Sequence, residues 1–507
     1  MDDYRYELKS GEYLAGEDAR IFEKIMSLNP LYAFKYDTTD IGLGNLFAEC
    51  FNDKIRYCLD DKKWYFYTGA VWEKDIGEIE TQCYMQRLLQ LLPLYCREVK
   101  NDDNKDTVTR YLAYVKKSSS DLVIKRGINT SKNMMKIRIT DFDKDPYLLN
   151  CSNGIYDLRT GKQIPHSPEY FMTKITNTHP TIIQSSFIKT TIKPCKRWYQ
   201  FIDEIMSHDK EKISFLQRAL GYSLLGVNKE ECMFLAYGAK SRNGKGTLFH
   251  SLSKALGSGY MGSVDTGLIC EDKRGKIKDF NAPQPALRKI VGTRIVTMSE
   301  TDRDVKLASA SMKSITGRDE LTTRGLNENP ITFIPQFKMW LSTNHLPMVT
   351  DDTVFKSDRI WVIPFDAHFD TDNRDNALKD YLSQPDNLPT VLNWLIEGCK
   401  DYLANGLNPP KCVIEATQNY REMYDKTGMF LKECCEIGED KKVLRSNLNM
   451  AYRNWCNKPD NRFTPLGSQK FYNEIALRGY RIGKYAGEFY VYGLSVKDQT
   501  TPGMIVL

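Results

Sequence analysis

Apolar residues along the chain fall at two spacings, and the predicted elements follow them. WYFYTGAVWEKD, Trp64 to Asp75, alternates large apolar and polar positions around a Thr-Gly pair, which predicts two short strands joined as a hairpin. IETQCYMQRLLQLLPLYCREV, Ile79 to Val99, places its apolar residues three and four apart, the period of a helix buried on one side. LLNCSNGIYDLRTGKQIP, starting at Leu148, sets Asn-Gly and Thr-Gly turns between short apolar runs and predicts a small β element. The helical period returns in RWYQFIDEIM and EKISFLQRALGYSLLG, between Arg197 and Gly226. CMFLAYG, Cys232 to Gly238, is different: a short continuous apolar run closed by a glycine, as in a strand buried on both faces of a parallel sheet. LFHSLSKALG then predicts a helix that stops at Gly257.

Three further apolar runs, RIVTMSETD (Arg294–Asp302), FKMWLSTN (Phe337–Asn344) and RIWVIPF (Arg359–Phe365), read as strands of the same sheet. DELTTR and ITFIPQ flank the turn GLNENP and predict a hairpin. Towards the C-terminus, PTVLNWLIEGCKDYLANGL is an amphipathic helix, LRSNLNMAYRNWCNK and SQKFYNEIALRG are two more, and YRIGKYAGEFYVYGLSV is a hairpin turning at Ala486 and Gly487. Two helices followed by such a hairpin form a winged helix, which commonly lays its second helix in a DNA groove and also serves in protein contacts. The fold class expected is α/β, divided into an extension (1–40), an α+β domain (41–195), a parallel-sheet domain (196–370), a helical linker or lid (371–435) and the winged helix (436–507).

Composition narrows this only slightly. A chain of 507 residues exceeds one ordinary core, and 41% hydrophobic with 27% charged residues, without an apolar run able to span a bilayer, predicts a soluble, cytoplasmic protein with no membrane partner. The first residues, MDDYRYELKSGEY, are acidic and polar, unlike a signal peptide. Thirteen scattered cysteines and six histidines make no zinc spacing, so reduced, buried thiols are expected. A formal charge of +6 permits a polyanionic partner without demonstrating one.

The chemistry concentrates at YGAKSRNGKGT, Tyr237 to Thr247. In a phosphate loop, G-x-x-x-x-G-K-[ST], backbone amides cradle phosphates, the lysine reaches the outer ones and the hydroxyl meets Mg²⁺. Here Gly238 stands one residue early, and Gly246 occupies the hydroxyl position, leaving Thr247 one place late. A Gly/Lys-rich surface turn is the alternative. Downstream residues favour the nucleotide reading. Glu300 ends an apolar strand where an ATPase places the acid that polarises water and steers Mg²⁺, although Ser299 stands where many such strands carry a first acid. Asn344 ends the next strand, in reach of a γ-phosphate or as a plain turn residue. Arg359 opens the last, as a transition-state finger or a surface arginine.

The run LASASMKSITGRDELTTRGLNENPITFIPQFKMWLSTNHLPMVTDDTVFKSDRIWVIPF closely resembles the motor of superfamily 3 helicases, in the group of phage and plasmid replication proteins and poxvirus primase-helicases. DPYLLNCSNGIYDLRTGKQIPHSPEYFMTKIT resembles the accessory domain that precedes that motor. The resemblance implies an AAA+ ATPase binding ATP and Mg²⁺ through Gly238, Arg242, Asn243, Gly244, Lys245, Gly246 and Thr247, with Lys245, Glu300, Asn344 and Arg359 catalytic and Thr247 and Glu300 at the metal. It explains both departures, since the group often carries R-N-G-K-[SG]-T with an extra residue after the first glycine. It further implies a homo-oligomeric ring, a hexamer in this group, with Arg359 acting across a subunit boundary. Lys313, Arg324 and Asn327 on and before the hairpin are implied DNA contacts; independently, the winged-helix pattern of the tail makes Lys470, Arg478, Arg481 and Lys484 candidate phosphate contacts. The implied activity is 3′ to 5′ unwinding of single-stranded or forked DNA, at an origin of a phage, plasmid or integrated mobile element. About 40 residues precede the accessory domain, too few for a primase fold of roughly 100 residues, so primer synthesis is expected of a separate partner. A DNA-binding ATPase switch or loader without processive unwinding, and a remodelling ATPase that ignores DNA, share the motor motifs and stay open.

Overall fold

The short continuous apolar runs form a parallel five-stranded sheet. In the computed structural model, which describes residues 4–181, 194–271, 283–299, 305–326, 330–349, 353–370, 375–458 and 465–497, these strands are β1 (Met233–Tyr237), β2 (Met261–Ser263), β3 (Ile295–Ser299), β4 (Lys338–Thr343) and β5 (Ile360–Pro364). They lie in the order β2-β3-β4-β1-β5, every pairing parallel. Successive side chains leave a strand on opposite faces, so each strand serves two cores. Phe234, Ala236, Ile295, Trp340 and Ile363 enter one core, and Met233, Leu235, Val296, Met339, Leu341 and Val362 enter the other. Burial on both faces is why these runs lack the polar alternation of a half-exposed strand.

The first core is closed by α1 (Lys196–Ile205), α2 (Lys210–Tyr222), α3 (Lys245–Tyr260) and α4 (Leu388–Asn405). Trp340 is its centre, fully buried, stacked on Phe234 at 4.6 Å, its indole N–H donating to Ser223 Oγ at 3.0 Å. α5 (Lys411–Tyr424) crosses to the second core, where Tyr420 is buried and donates its hydroxyl to the Pro347 carbonyl at 2.6 Å.

Residues 5–137 build a separate core from the helices Gly16–Leu28, Asp40–Phe51, Ile79–Val99, Lys105–Ser118 and Asp121–Ser131 and the sheet containing Lys63–Tyr67 and Trp72–Lys74. Leu8, Phe22, Ile25 and Tyr36 share that core with Leu43, Leu46 and Leu92, so residues before 40 pack as part of the module. The strands Leu148–Cys151, Gly154–Asp157 and Lys162–Ile164 form an antiparallel sheet, and Leu149, Cys151, Tyr156 and Leu158 insert into the first core of the parallel sheet. Asn177 joins this region to α3: its N–H donates to the Ala255 carbonyl at 3.1 Å and its Nδ2 to the Lys254 carbonyl at 3.0 Å. Helical φ/ψ breaks there at Gly257, φ 73°. No described helix is long and apolar enough to cross a membrane, and the cysteines are free thiols, most of them buried.

Two basic side chains lie wholly inside. Arg294 and Lys338 are each 1% exposed. Arg294 Nη1 donates to the Pro146 carbonyl at 3.0 Å and occupies space that only glycine leaves at 226, where a Cβ would stand 1.4 Å from that nitrogen. Lys338 Nζ donates to the carbonyls of Leu225 and, at 3.2 Å, Gln336, over the ring of Tyr222 at 4.7 Å. Burial, with repulsion from Arg294 added, pushes the Lys338 amine well below its ordinary 10.5. The unfolded chain therefore binds the proton that the folded chain refuses, and the lysine's contribution to stability rises as pH climbs towards 10.5. We predict that the stability of Lys338→Met relative to wild type falls between about pH 7 and about pH 9, by up to ~1.4 kcal/mol per pH unit. Urea unfolding of both proteins at the two values checks this; a pH-independent difference contradicts it.

Candidate nucleotide site

β1 ends at Tyr237 and α3 begins at Lys245, so residues 238–244 form a loop over the carboxyl end of the sheet, where open parallel sheets bind ligands. The glycines have distinct steric reasons. A Cβ on Gly238 would meet Asn243 Nδ2 at 2.1 Å and the Phe365 carbonyl oxygen at 2.7 Å. The early glycine thus lets the buried Asn243 fold back under the loop, where its Nδ2 donates to the Lys240 carbonyl at 2.8 Å. Gly244 sits at φ 83°, and a Cβ there would lie 2.2 Å from Ile205 Cγ2 on α1. Gly246 meets nothing within 4 Å, so packing does not demand glycine there.

Lys245 lies in the first turn of α3, 6% exposed. Its Nζ donates to Asn344 Oδ1 at 2.8 Å and to the Thr343 carbonyl at 3.0 Å. The Gly238 N–H donates to that same carbonyl at 3.3 Å. Two residues singled out far apart in sequence therefore meet across the ends of the neighbouring strands β1 and β4. Glu300 lies outside the described residues; Ser299 before it stands beside Ser342 in register, next to the same strand end. The first-turn N–H groups of a helix lack intrahelical acceptors and attract anions, so the head of α3 suits phosphate.

A cavity of about 450 Å³ opens beside the loop, lined by Arg242, Asn243, Gly244, Gly246 and Thr247 on one side. Its other walls include Phe201 and the Arg197–Glu204 ion pair (3.1 Å) of α1, together with Phe369, Leu378 and Lys379 after β5. Thr247 is half-buried and faces this space, which fits a role near the metal of a nucleotide. Arg242, exposed at φ 58°, accepts through its carbonyl from the Phe369 N–H at 2.9 Å and so fixes the far wall to the loop. Sequence reasoning passed over Phe201, Phe369, Leu378 and Lys379, since none stands in a motif. Only the apolar stripe of RWYQFIDEIM hinted at Phe201. Among the described residues no group of three or more His, Cys, Asp or Glu side chains lies together so as to hold a metal ion.

Arg359 is not at this end. It precedes β5, the strand beside β1, and so lies at the amino end of the sheet, opposite the end that carries the loop. Its Nη2 pairs with Glu231 Oε2 at 2.8 Å, and its Nη1 donates to Thr316 Oγ1 at 3.2 Å and to the Lys313 carbonyl at 3.4 Å. The parallel geometry keeps it from the loop of its own chain. Glu231 also holds Arg318 at 3.3 Å.

The hairpin forms as expected from Leu321–Thr323 and Ile331–Phe333. Arg324 is exposed at its end with its carbonyl accepting from the Gln284 N–H at 2.9 Å, whereas Asn327 lies outside the described residues. Lys313 is half-buried on the helix Ser309–Thr316. Behind the hairpin base a second cavity of about 700 Å³ is lined by Lys144, Lys174, Arg288, Ile331 and Phe333 among others. Asp61 at its side joins the modules, pairing with Lys74 at 2.6 Å and Arg288 at 3.4 Å. In the tail, Lys470, Arg481 and Lys484 are exposed. Arg478, also expected as a phosphate contact, pairs with Asp425 at 2.5 Å and Glu474 at 2.6 Å.

Residues 44–207 match the family model described as D5 N terminal like. The chain is 27% identical over 304 residues to the Acanthamoeba polyphaga mimivirus protein named "Putative helicase L207/L206", covering 57% of this chain and 30% of the viral one. It is 22% identical to "Putative helicase 121R" of Invertebrate iridescent virus 3, over 87% of this chain and 54% of that protein, and 22% identical to "Putative helicase 022R" of Frog virus 3, over 52% and 28%. The chain thus spans about a third to a half of the length of these relatives. Among solved structures, the apo C-terminal region of NrS-1 is loosely similar, with a TM-score of 0.45 and 10% identity over 87% of this chain and 96% of that one. The strand, loop and helix that bring Lys245 to Asn344 therefore sit in a mixed α/β chain with a D5 N terminal like region, related to viral proteins named as helicases.

Proposed function

We propose that the chain is an ATP-dependent DNA helicase of the superfamily 3 type, unwinding DNA in the 3′ to 5′ sense as a homo-oligomeric ring during replication of a viral, plasmid or integrated element. The carrying observation is the meeting of Lys245 and Asn344 at the head of α3, at 2.8 Å. A lysine amine already aimed at two acceptors exchanges them for phosphate oxygens without moving far, and Asn344 is then released to orient water or contact the terminal phosphate. Thr247 faces the metal side and Glu300 supplies the base. Bound ATP with Mg²⁺ provides the phosphoanhydride whose cleavage drives the cycle. Phe201, Phe369 and Leu378 give the apolar walls against which a base packs.

Arg359 serves the neighbouring subunit in this reading, and it must leave Glu231 to do so. The exposed hairpin end at Arg324, with Asn327 and Lys313, contacts DNA. The relatives' names support the helicase assignment, and the D5-like region supports the replication setting. A strand-displacement assay on a forked duplex with a single-stranded 3′ tail tests it: wild type separates the strands only with hydrolysable ATP. ATP turnover and DNA binding without strand separation convert the reading to a DNA-binding ATPase switch, and turnover indifferent to single-stranded DNA removes DNA altogether.

A further inference from the structure

The C-terminal module presents two surfaces. Its sheet consists of β6 (Cys435–Leu444), β7 (Ile482–Tyr485) and β8 (Glu488–Val496) in the order β6-β8-β7, packed on α6 (Arg445–Cys456) and α7 (Ser468–Leu477). In a winged helix the second helix is the usual DNA reader, yet the exposed positions of α7 are Ser468, Gln469, Lys470, Asn473, Ala476 and Leu477, with a single cation among them. Arg478, just beyond, is tied to Asp425 and Glu474.

The solvent face of the sheet is richer. Residues directly opposite in an antiparallel pair share a face. Val443, Val491 and Ile482 form one such row and pack on the core. The next row along, Lys442, Tyr492 and Arg481, therefore points the other way, as do Tyr490 and the end pair Tyr485 with Glu488. Tyr485 is 59% exposed, while Tyr490 and Tyr492 are half-buried. Cations lie over these rings: Lys442 Nζ stands 4.6 Å from the centroid of Tyr485 and 5.3 Å from that of Tyr490, and the Arg481 guanidinium is 4.3 Å from that of Tyr492. Gly483 lies in register opposite Tyr490, leaving the middle of the face without a side chain. A sheet with one dry face ordinarily carries polar side chains on the wet one. Three tyrosines interleaved with two cations and opposed by one acid, Glu488, make a surface that stacks bases and meets phosphates.

We infer that this sheet face, and not helix α7, is a binding platform for single-stranded nucleic acid: Tyr485 and Tyr490 stack bases, and Lys442 and Arg481 swing from the rings to the adjoining phosphates. The inference rests on the DNA-unwinding reading and adds to it a hold on the separated strand outside the motor. Stacking is tolerant of sequence because every base has a π-face, so the platform takes a strand of any composition.

The test is fluorescence anisotropy on the full chain without nucleotide, using a labelled oligothymidylate and, separately, a blunt duplex of the same length. Tyr485→Ala with Tyr490→Ala weakens oligothymidylate binding at least about tenfold, given the cost of losing a stacked base, and leaves duplex binding unchanged. Tyr485→Phe with Tyr490→Phe, which keeps both rings, binds as wild type. Lys442→Gln with Arg481→Gln lowers the salt dependence of single-strand binding by about 1.4 in log–log slope, the share of two phosphates. Alanine variants that unfold as wild type does and bind oligothymidylate equally well overturn the platform while leaving the helicase reading intact. A wild-type chain that binds neither strand nor duplex overturns both.

Discussion

Lys245→Ala turns over ATP at least about a hundredfold more slowly than wild type at saturating ATP, read as phosphate release. A charge-assisted contact to the phosphate on which charge develops is worth about 3 kcal/mol in a water-poor site, and each ~1.4 kcal/mol is a factor of ten. The folded state suffers less. Removing the amine leaves Asn344 Oδ1 and the Thr343 carbonyl short of a donor, a cost of about 1–3 kcal/mol. Lys245→Met, which keeps the apolar stem, separates the two effects: its turnover falls as far as that of the alanine variant. Turnover within a few-fold of wild type in both variants would remove Lys245, and with it the site, from the proposed mechanism.

Two glycines two residues apart behave oppositely. Gly244→Ala adds a Cβ at φ 83° and forces it to 2.2 Å from Ile205 Cγ2, so the loop or α1 must move. Left-handed strain and overpacking together destabilise the parallel-sheet domain by about 2–5 kcal/mol and displace the amides proposed to face phosphate. Thermal unfolding and titration with a fluorescent ATP analogue both register the loss. Gly246→Ala points into open space on a helix and is neutral or stabilising, by up to about 1 kcal/mol. Equal behaviour of the two variants would mean that the loop is not held against α1 as described.

The parts of this fold legible in the sequence are those where local chemistry and packing demand the same residue. CMFLAYG had to be a strand because both of its faces are buried, and the Ala486–Gly487 turn shows in the structure as two successive residues with φ of 51° and 88°. Strand β6 escaped notice because CEIGEDKKVL is an edge strand with a register shift between Ile437 and Lys442, where charge and irregular pairing erase the apolar alternation. In the candidate site, Lys245 and Asn344 were readable from motif and strand end. The commitments of Arg359 to Glu231 and Arg478 to Asp425 were not, because an ion pair between residues distant in sequence has no local signature. Phe369 and Leu378 escaped for the same reason: what makes them walls is where the chain returns after β5, which no spacing records.

The contact between Asn177 and the far end of α3 gives that helix a second anchor. From Lys245 to Gly257 is a rigid rod of about 18 Å, with the candidate phosphate site at its head and Asn177 clasping its last carbonyls at its foot. The clasp continues inward, since the Thr176 N–H donates to the Asn150 carbonyl and the Asn150 amide holds the carbonyls of Ala70 and Lys174. A run of hydrogen bonds therefore ties the foot of the helix that carries the candidate phosphate site to the turn between Tyr67 and Trp72, so the loop and the N-terminal module share one structural member.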